Sequence, residues 1–351
     1  MALTTGVMIL SAASLIAIAS AAAPVSASPP SAPPPYIAPL SVIAAEALLA
    51  QDEDGAASGS DPVPEPEPEP EAPPAPDKPP RIAGMDVFAG GKLVLTNGVT
   101  TVDGASGGGL ARWATIGGRQ MSGGIGLSAH GTAIELKDYG WRSYGVLLGI
   151  GDRIELSYAR ADFDTRDVGA LLGIGQGYTF NLDTFGAKLR VAGDLVYGDT
   201  WLPQIAVGIE HKRSRDGALV RALGAADSAG TDYTLSATKL FLARSLLVNA
   251  TLRYTEANEL GLLGFGSASG ESYKLQFEGS LGYQLSRRAV IGAEYRSKPD
   301  NLGLGDDDWM DVFAAFAVTD HLTLTAAYVD LGSIATIPDQ RGGYLSAQVA
   351  F

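Results

Sequence analysis

Segments of about ten residues in which every second side chain is apolar recur from about Gly84 to the C-terminus, and no other feature of the chain restricts its fold as much. In the stretch 273–285, Tyr273, Leu275, Phe277, Leu281, Tyr283 and Leu285 fall on one face, and Lys274, Gln276, Glu278, Ser280 and Gln284 fall on the other. A helix repeating every 3.6 residues cannot sort side chains this way; a strand does so by its pleat. The same alternation runs through 153–161, 203–212, 246–255, 289–297 and 322–329. Strands of soluble sheets usually hold about five or six residues, whereas a tilted strand crossing a bilayer needs about 9–11. These segments have the second length.

The spacing between segments adds an independent argument. The connections near 319–321, 286–288, 243–245 and 151–152 are tight, and those between them, near 332–341, 299–308, 257–271, 214–231 and 164–177, are long. Short and long alternate, as periplasmic turns and external loops do in outer-membrane barrels. Residues 193–202, a longer stretch where a short turn is due, break the rule once. The pattern predicts an all-β fold: an antiparallel up-and-down transmembrane β-barrel of about 14 strands over 84–351. Twelve strands are also compatible, because the first three, between Gly91 and Ile134, are blurred by glycine. An even count leaves both termini in the periplasm. Closure follows because an open edge in hydrocarbon would leave backbone groups unpaired.

Tyr344 to Phe351 ends the chain on an aromatic residue with Leu345, Ala347 and Val349 alternating behind it. Leu345, Val349 and Phe351 resemble the C-terminal signal by which outer-membrane barrels are handed to their assembly machinery. At the other end, Val7 to Ala23 is apolar and small, and Val25-Ser26-Ala27 suits a signal peptidase, although no Lys or Arg precedes the apolar run. A signal peptide is expected over 1–27. Residues 28–83 then form a Pro/Glu-rich periplasmic linker, because repeated prolines and like charges cannot build a core.

The formal net charge of -14 is a property of that linker more than of the barrel: residues 1–80 hold ten acids against one Lys. No basic stripe remains for nucleic acid. The sequence has no cysteine, which excludes a disulfide framework and a Cys-based metal site. The implied surroundings are outer-membrane lipid and lipopolysaccharide of a Gram-negative cell.

The barrel region also resembles a set of proteobacterial proteins regarded as outer-membrane barrels and catalogued only as domain of unknown function 3034. The resemblance rests on Lys92-Leu-Val-Leu-Thr with Gly107-Gly-Gly-Leu110, and on Gly151-Asp-Arg-Ile-Glu-Leu156. It extends through Trp201-Leu-Pro-Gln-Ile-Ala-Val-Gly208, Gly261-Leu-Leu-Gly-Phe-Gly266, Lys298-Pro-Asp-Asn-Leu302 and Ala326-Ala-Tyr-Val-Asp-Leu-Gly332. It implies a barrel and transfers no activity.

Little in the sequence points to catalysis. None of the three histidines, His130, His211 and His321, is placed with a convincing Ser and acid partner. No cofactor or metal is expected, since Asp306-Asp-Asp-Trp-Met-Asp311 reads as a solvated acidic loop and Gly107 to Gly109 as a turn. The predicted lumen carries both signs: Arg153, Glu155, Lys188, Arg190, Glu210, Arg253, Lys274, Glu278, Glu294 and Arg296. Mixed signs suit a weakly selective water-filled pore or an ion-paired closed interior, and the sequence does not choose between them. The 257–266 loop is unusually apolar for an external loop, and Leu262, Leu263 and Phe265 are expected to fold into the barrel mouth as a constriction. Two functions follow: a passive channel or uptake porin for a small, apolar molecule, or a closed structural or adhesive barrel acting through its loops or its periplasmic tether.

Overall fold

The computed structural model describes residues 79–196 and 201–351. The expected signal peptide, and the expected linker up to residue 78, lie outside the described residues. Four short strands come first: β1 (Arg81–Ile82), β2 (Met85–Val87), β3 (Val99–Thr100) and β4 (Ser106–Gly107). Twelve long strands follow. They are β5 (Gly124–Leu136), β6 (Gly140–Ile150), β7 (Ile154–Asp164), β8 (Thr179–Ala192), β9 (Gln204–Ser214) and β10 (Ala229–Phe241), then β11 (Leu246–Thr255), β12 (Lys274–Ser286), β13 (Ala289–Arg296), β14 (Trp309–Ala317), β15 (Leu322–Asp330) and β16 (Arg341–Ala350). Each pairs antiparallel with its sequence neighbours, and β16 pairs with β5, with Ala347 opposite Gly131, so the sheet closes on itself. The wall is a twelve-stranded up-and-down barrel.

The wall has its apolar side outward. Along β14 the burial alternates residue by residue: Met310, Val312 and Phe316 are exposed, while Trp309, Asp311 and Phe313 point in. On β12, Leu275, Leu281, Tyr283 and Leu285 face out while Glu278 and Ser280 face in. Outward tyrosines, Tyr233, Tyr254, Tyr295 and Tyr328, gather near one end of the wall, and Phe241, Tyr283, Phe316 and Phe351 near the other.

Connections at one end are short (151–153, 242–245, 287–288, 318–321), apart from 193–203. The other end carries the long ones: 165–178 with helix α1 (Val168–Leu171), 215–228 with helix α2 (Gly217–Ala222), 256–273, 297–308 and 331–340. One connection at this long-loop end, 137–139, is as tight as a turn, a second break in the alternation that the sequence did not show.

Of the two counts compatible with the sequence, about 14 and twelve, the wall has twelve, for a physical reason. Only one of the three segments expected between Gly91 and Ile134 joins the wall, and the wall begins at Gly124. The chain from Gly98 to Gln120 lies inside the lumen, buried almost throughout. It enters and leaves at the short-turn end, where the Lys92 ammonium sits 2.7 Å from the Asp152 carboxylate and the Arg119 amide donates to the Phe351 carbonyl at 3.0 Å. Its tip, Val102 and Leu110, rises into an apolar cluster with Trp141, Trp309 and Leu331. We call this segment the plug.

Gly107 and Gly108 are required by proximity. A Cβ on Gly107 would lie 2.3 Å from the Ala111 carbonyl oxygen, and one on Gly108 would lie 1.9 Å from Glu294 Oε1. Gly107→Ala is therefore expected to weaken docking of the plug by about 1–3 kcal/mol, the usual cost of overpacking. Faster tryptic cleavage at Arg112 in the detergent-solubilised protein would report it.

Candidate functional site

The polar inner faces of the strands meet the backbone of the plug. Glu155 on β7 accepts from the Ser106 amide (3.0 Å) and the Gly117 amide (2.8 Å). Lys188 on β8 donates to the Ser106 and Thr115 carbonyls, both at 3.0 Å. Glu294 on β13 accepts from the Leu110 amide at 2.8 Å, while Arg296 on the same strand donates to the Leu110 carbonyl at 2.9 Å. The plug has almost no ladder of its own, and its buried amides and carbonyls need partners. Carboxylates serve the donors and cations serve the acceptors, which is why the lumen needs both signs.

At the centre lies a buried ionic cluster. The plug supplies Asp103 and Arg112. The Arg112 guanidinium donates to Glu210 Oε1 (2.5 Å) and Glu278 Oε1 (2.6 Å), and contacts Asp103. Lys212 sits 2.9 Å from Asp232 and 3.3 Å from Asp103. Arg253 reaches Glu278 at 2.8 Å, and Arg296 reaches Asp103 at 3.1 Å. Arg112, Lys212, Arg253 and Arg296 are matched in number by Asp103, Glu210, Asp232 and Glu278, so the cluster is neutral. A neutral, hydrogen-bonded cluster is the form in which charges tolerate burial.

Above the plug tip, at the long-loop end, is a cavity of about 130 Å³. All six connections at that end contribute to its lining: Tyr139, Ile174, Leu223, Leu263, Leu302 and Ile334 come one from each. Trp141, Phe163 and Phe180 from the wall complete a mostly apolar enclosure. Its one acidic lining residue is Glu259. Glu259 and Leu260 both adopt left-handed backbone conformations (φ 44° and 64°), an arrangement that costs free energy in non-glycine residues and is commonest at functional sites.

Burial pushes the Glu259 carboxyl up to about 8, with the Lys298 ammonium opposing the shift and Asp306 adding to it. The folded value is raised, so the contribution to stability is complete below the ordinary carboxylate range and is lost as pH rises through about 8. Amide hydrogen exchange in 257–266, corrected for intrinsic rate, is expected to accelerate between about pH 5 and about pH 8 and to level off above that. Glu259→Gln is expected to remove that acceleration. Lys298, Asp306 and Tyr139 are the other titratable groups facing this carboxyl.

The structure places the sequence-predicted residues in four zones. Glu155, Lys188, Glu210, Arg253, Glu278, Glu294 and Arg296 are buried inside the wall, holding the plug or its ionic cluster. Arg153 is exposed in the 151–153 turn, Arg190 pairs with Asp152 and Asp194 at the short-turn rim, and Lys274 pairs with Glu271 at the long-loop rim. Leu262, Leu263 and Phe265 are buried in the apolar cluster at the long-loop mouth. Leu345, Val349 and Phe351 face outward, with Phe351 stacked on His321 at 5.1 Å. The remaining histidines are also accounted for: His130 is buried 3.4 Å from a Ser143 hydroxyl that donates to the Val102 carbonyl, and His211 lies 3.1 Å from Thr231. Neither forms a Ser–His–acid relay among the described residues.

The sequence reading missed Asp103, Arg112, Glu259 and Lys298. A usable signal existed for the first pair. Between Lys92 and Arg119, Asp103 and Arg112 are the only charged residues, isolated in a glycine-rich stretch that has no strand period.

No curated protein matches the sequence. Similar solved structures include the KdgM porin (11% identity, TM-score 0.40, 64% of this chain and 99% of that chain). They also include the outer membrane protein Omp33 of Acinetobacter baumannii (8%, 0.35, 64% and 97%) and the calcium-bound dimer of the outer membrane phospholipase of Salmonella typhi (11%, 0.35, 67% and 92%). Residues 96–348 match the family described as protein of unknown function (DUF3034), and the chain belongs to that family.

Proposed function

We propose that this DUF3034 protein spans the outer membrane of a Gram-negative cell as a plugged barrel and takes up small, mostly apolar molecules through the cavity at its long-loop mouth. The convergence of all six mouth connections on one apolar cavity carries the reading. Loops that only solvated the barrel end would have no reason to bury Leu262, Leu263 and Phe265 together. The outward apolar belt supports the membrane setting, because soluble proteins rarely expose contiguous apolar surface beyond a few hundred Å². The aromatic residues near both rims suit the two lipid interfaces. Short turns and both ends of the wall then face the periplasm, and the long loops face outward. Leu345, Val349 and Phe351, on the outer face of the last strand, are available to the assembly machinery before the barrel closes.

The plug argues against a permanently open pore, so uptake in this account needs a shift of the plug tip beneath the cavity. Cells expressing the protein should accumulate labelled toluene faster than cells carrying Leu263→Trp, which fills the cavity. Equal rates would remove the uptake reading. The second reading, a closed structural barrel, is favoured by the neutral ionic cluster, and equal rates together with intact folding would support it.

A further inference from the structure

The outward tyrosines near the long-loop rim, Tyr233, Tyr254, Tyr295 and Tyr328, stand on β10, β11, β13 and β15. On β6 to β9 the outward face at that rim is charged instead. Strand pairing sets Arg142 on β6 opposite Asp162 on β7, and Arg160 on β7 opposite Asp183 on β8, which in turn lies opposite Arg213 on β9. Arg215, at the start of the next loop, joins them: its Nε donates to Asp183 Oδ2 at 2.6 Å. Four guanidinium groups thus share two carboxylates, leaving two positive charges uncompensated on one patch.

Both carboxylates are already engaged. Asp162 accepts from Arg160 Nε at 3.1 Å, and Asp183 accepts from Arg215 and, at 3.0 Å, from the Tyr158 hydroxyl. Glu135, the acid of neighbouring β5, is held by Arg166. Arg142 and Arg213 are exposed, and among the described residues no hydrogen bond or ion pair engages either guanidinium. Toward the short-turn end the same face turns apolar: the Phe185 ring lies 5.1 Å from that of Tyr158, and Leu156, Leu189, Val207 and Ile209 are exposed beyond it.

We propose that this patch binds the phosphates of a glycolipid headgroup, of the kind lipopolysaccharide presents, with Arg142 and Arg213 each taking one phosphate. The inference goes beyond the uptake reading and takes from it only the membrane setting and the outward long loops. A guanidinium is a planar fork that matches phosphate oxygens and stays charged at any working pH. The patch lies at the edge of the apolar belt, which is the depth of a lipid headgroup. Arg142 and Arg213 stand on strands three apart, about 14 Å along the sheet, so a headgroup with two separated phosphates fits them better than one with a single phosphate.

The test is native mass spectrometry of the detergent-solubilised full chain, titrated with lipid A carrying two phosphates and with lipid A carrying one. The wild-type protein is expected to bind the two-phosphate form at least about tenfold tighter, the usual effect of one more charged hydrogen bond. Arg142→Gln combined with Arg213→Gln should bring the ratio near one, and Arg153→Gln combined with Arg287→Gln, at the short-turn end, should leave it unchanged. A wild-type ratio near one would overturn the proposal without recourse to any variant. An unchanged ratio in the Arg142/Arg213 variant would also overturn it, as would displacement of the lipid by millimolar inorganic phosphate, which would make the patch a site for a soluble anion. None of these results touches the uptake reading, which toluene accumulation decides.

Discussion

Arg112→Met is expected to undock the plug while leaving the wall closed. Arg112 is the one side chain that joins Asp103 on the plug to Glu210 on β9 and Glu278 on β12, and it is 1% exposed. Removing it leaves carboxylates facing one another in a site with little water. Breaking a buried ion pair by deleting one partner costs about 3–5 kcal/mol. Each 1.4 kcal/mol is roughly a factor of ten in an equilibrium, so the undocked population should rise at least about a hundredfold. Trypsin should then cut at Arg119 faster than it does in the wild-type protein, while the wall keeps its strand content by circular dichroism. Arg112→Lys should fall between, since an ammonium keeps the charge but cannot fork to two carboxylates. Unchanged protection at Arg119 in Arg112→Met would mean that backbone hydrogen bonds alone hold the plug.

Phe265→Ala should detach the 256–273 loop and abolish the mouth cavity. Phe265 is 1% exposed and seated against two glycines: a Cβ on Gly230 would fall 2.3 Å from its ring and one on Gly261 2.6 Å from it. Its backbone ties two loops together, with the Phe265 amide donating to the Asp227 carbonyl at 2.9 Å and the Asp227 amide donating back at 3.0 Å. Truncating a buried Phe to Ala costs about 3–5 kcal/mol, more than a single loop usually has in reserve. Hydrogen exchange in 256–273 should become fast, and toluene binding should weaken more than tenfold. Exchange that stays slow would show that the loop is held by its polar contacts, such as Asn258 with the Gly266 carbonyl.

How much of this could be read from the residues differs between the wall and what fills it. The strands were legible because each side chain's environment is fixed by its parity: Leu275, Phe277 and Leu281 announce one face and Glu278 and Ser280 the other. The plug was not, because 98–120 has no period and its burial depends on partners far away in the chain. Glu294 is 184 residues from the Leu110 amide that it accepts from, and Glu278 is 166 from Arg112. Nothing local distinguishes such a segment from a weak strand, and it was counted among the wall. The mixed signs of the lumen were visible, yet their meaning depended on the segment they enclose. The apolar loop at 257–266 pointed to the mouth of the barrel, but Glu259 within it was overlooked, because an acid beside Asn258 reads as ordinary loop chemistry.

The central claim is that the lumen is closed at rest by the chain's own residues 98–120, and single-channel recording of the intact protein in a planar bilayer tests it most directly. The account predicts a quiet bilayer for the wild-type protein and stepwise openings for Arg112→Met inserted under the same conditions. Steady, ohmic openings from the wild-type protein would contradict it and restore an open water-filled pore.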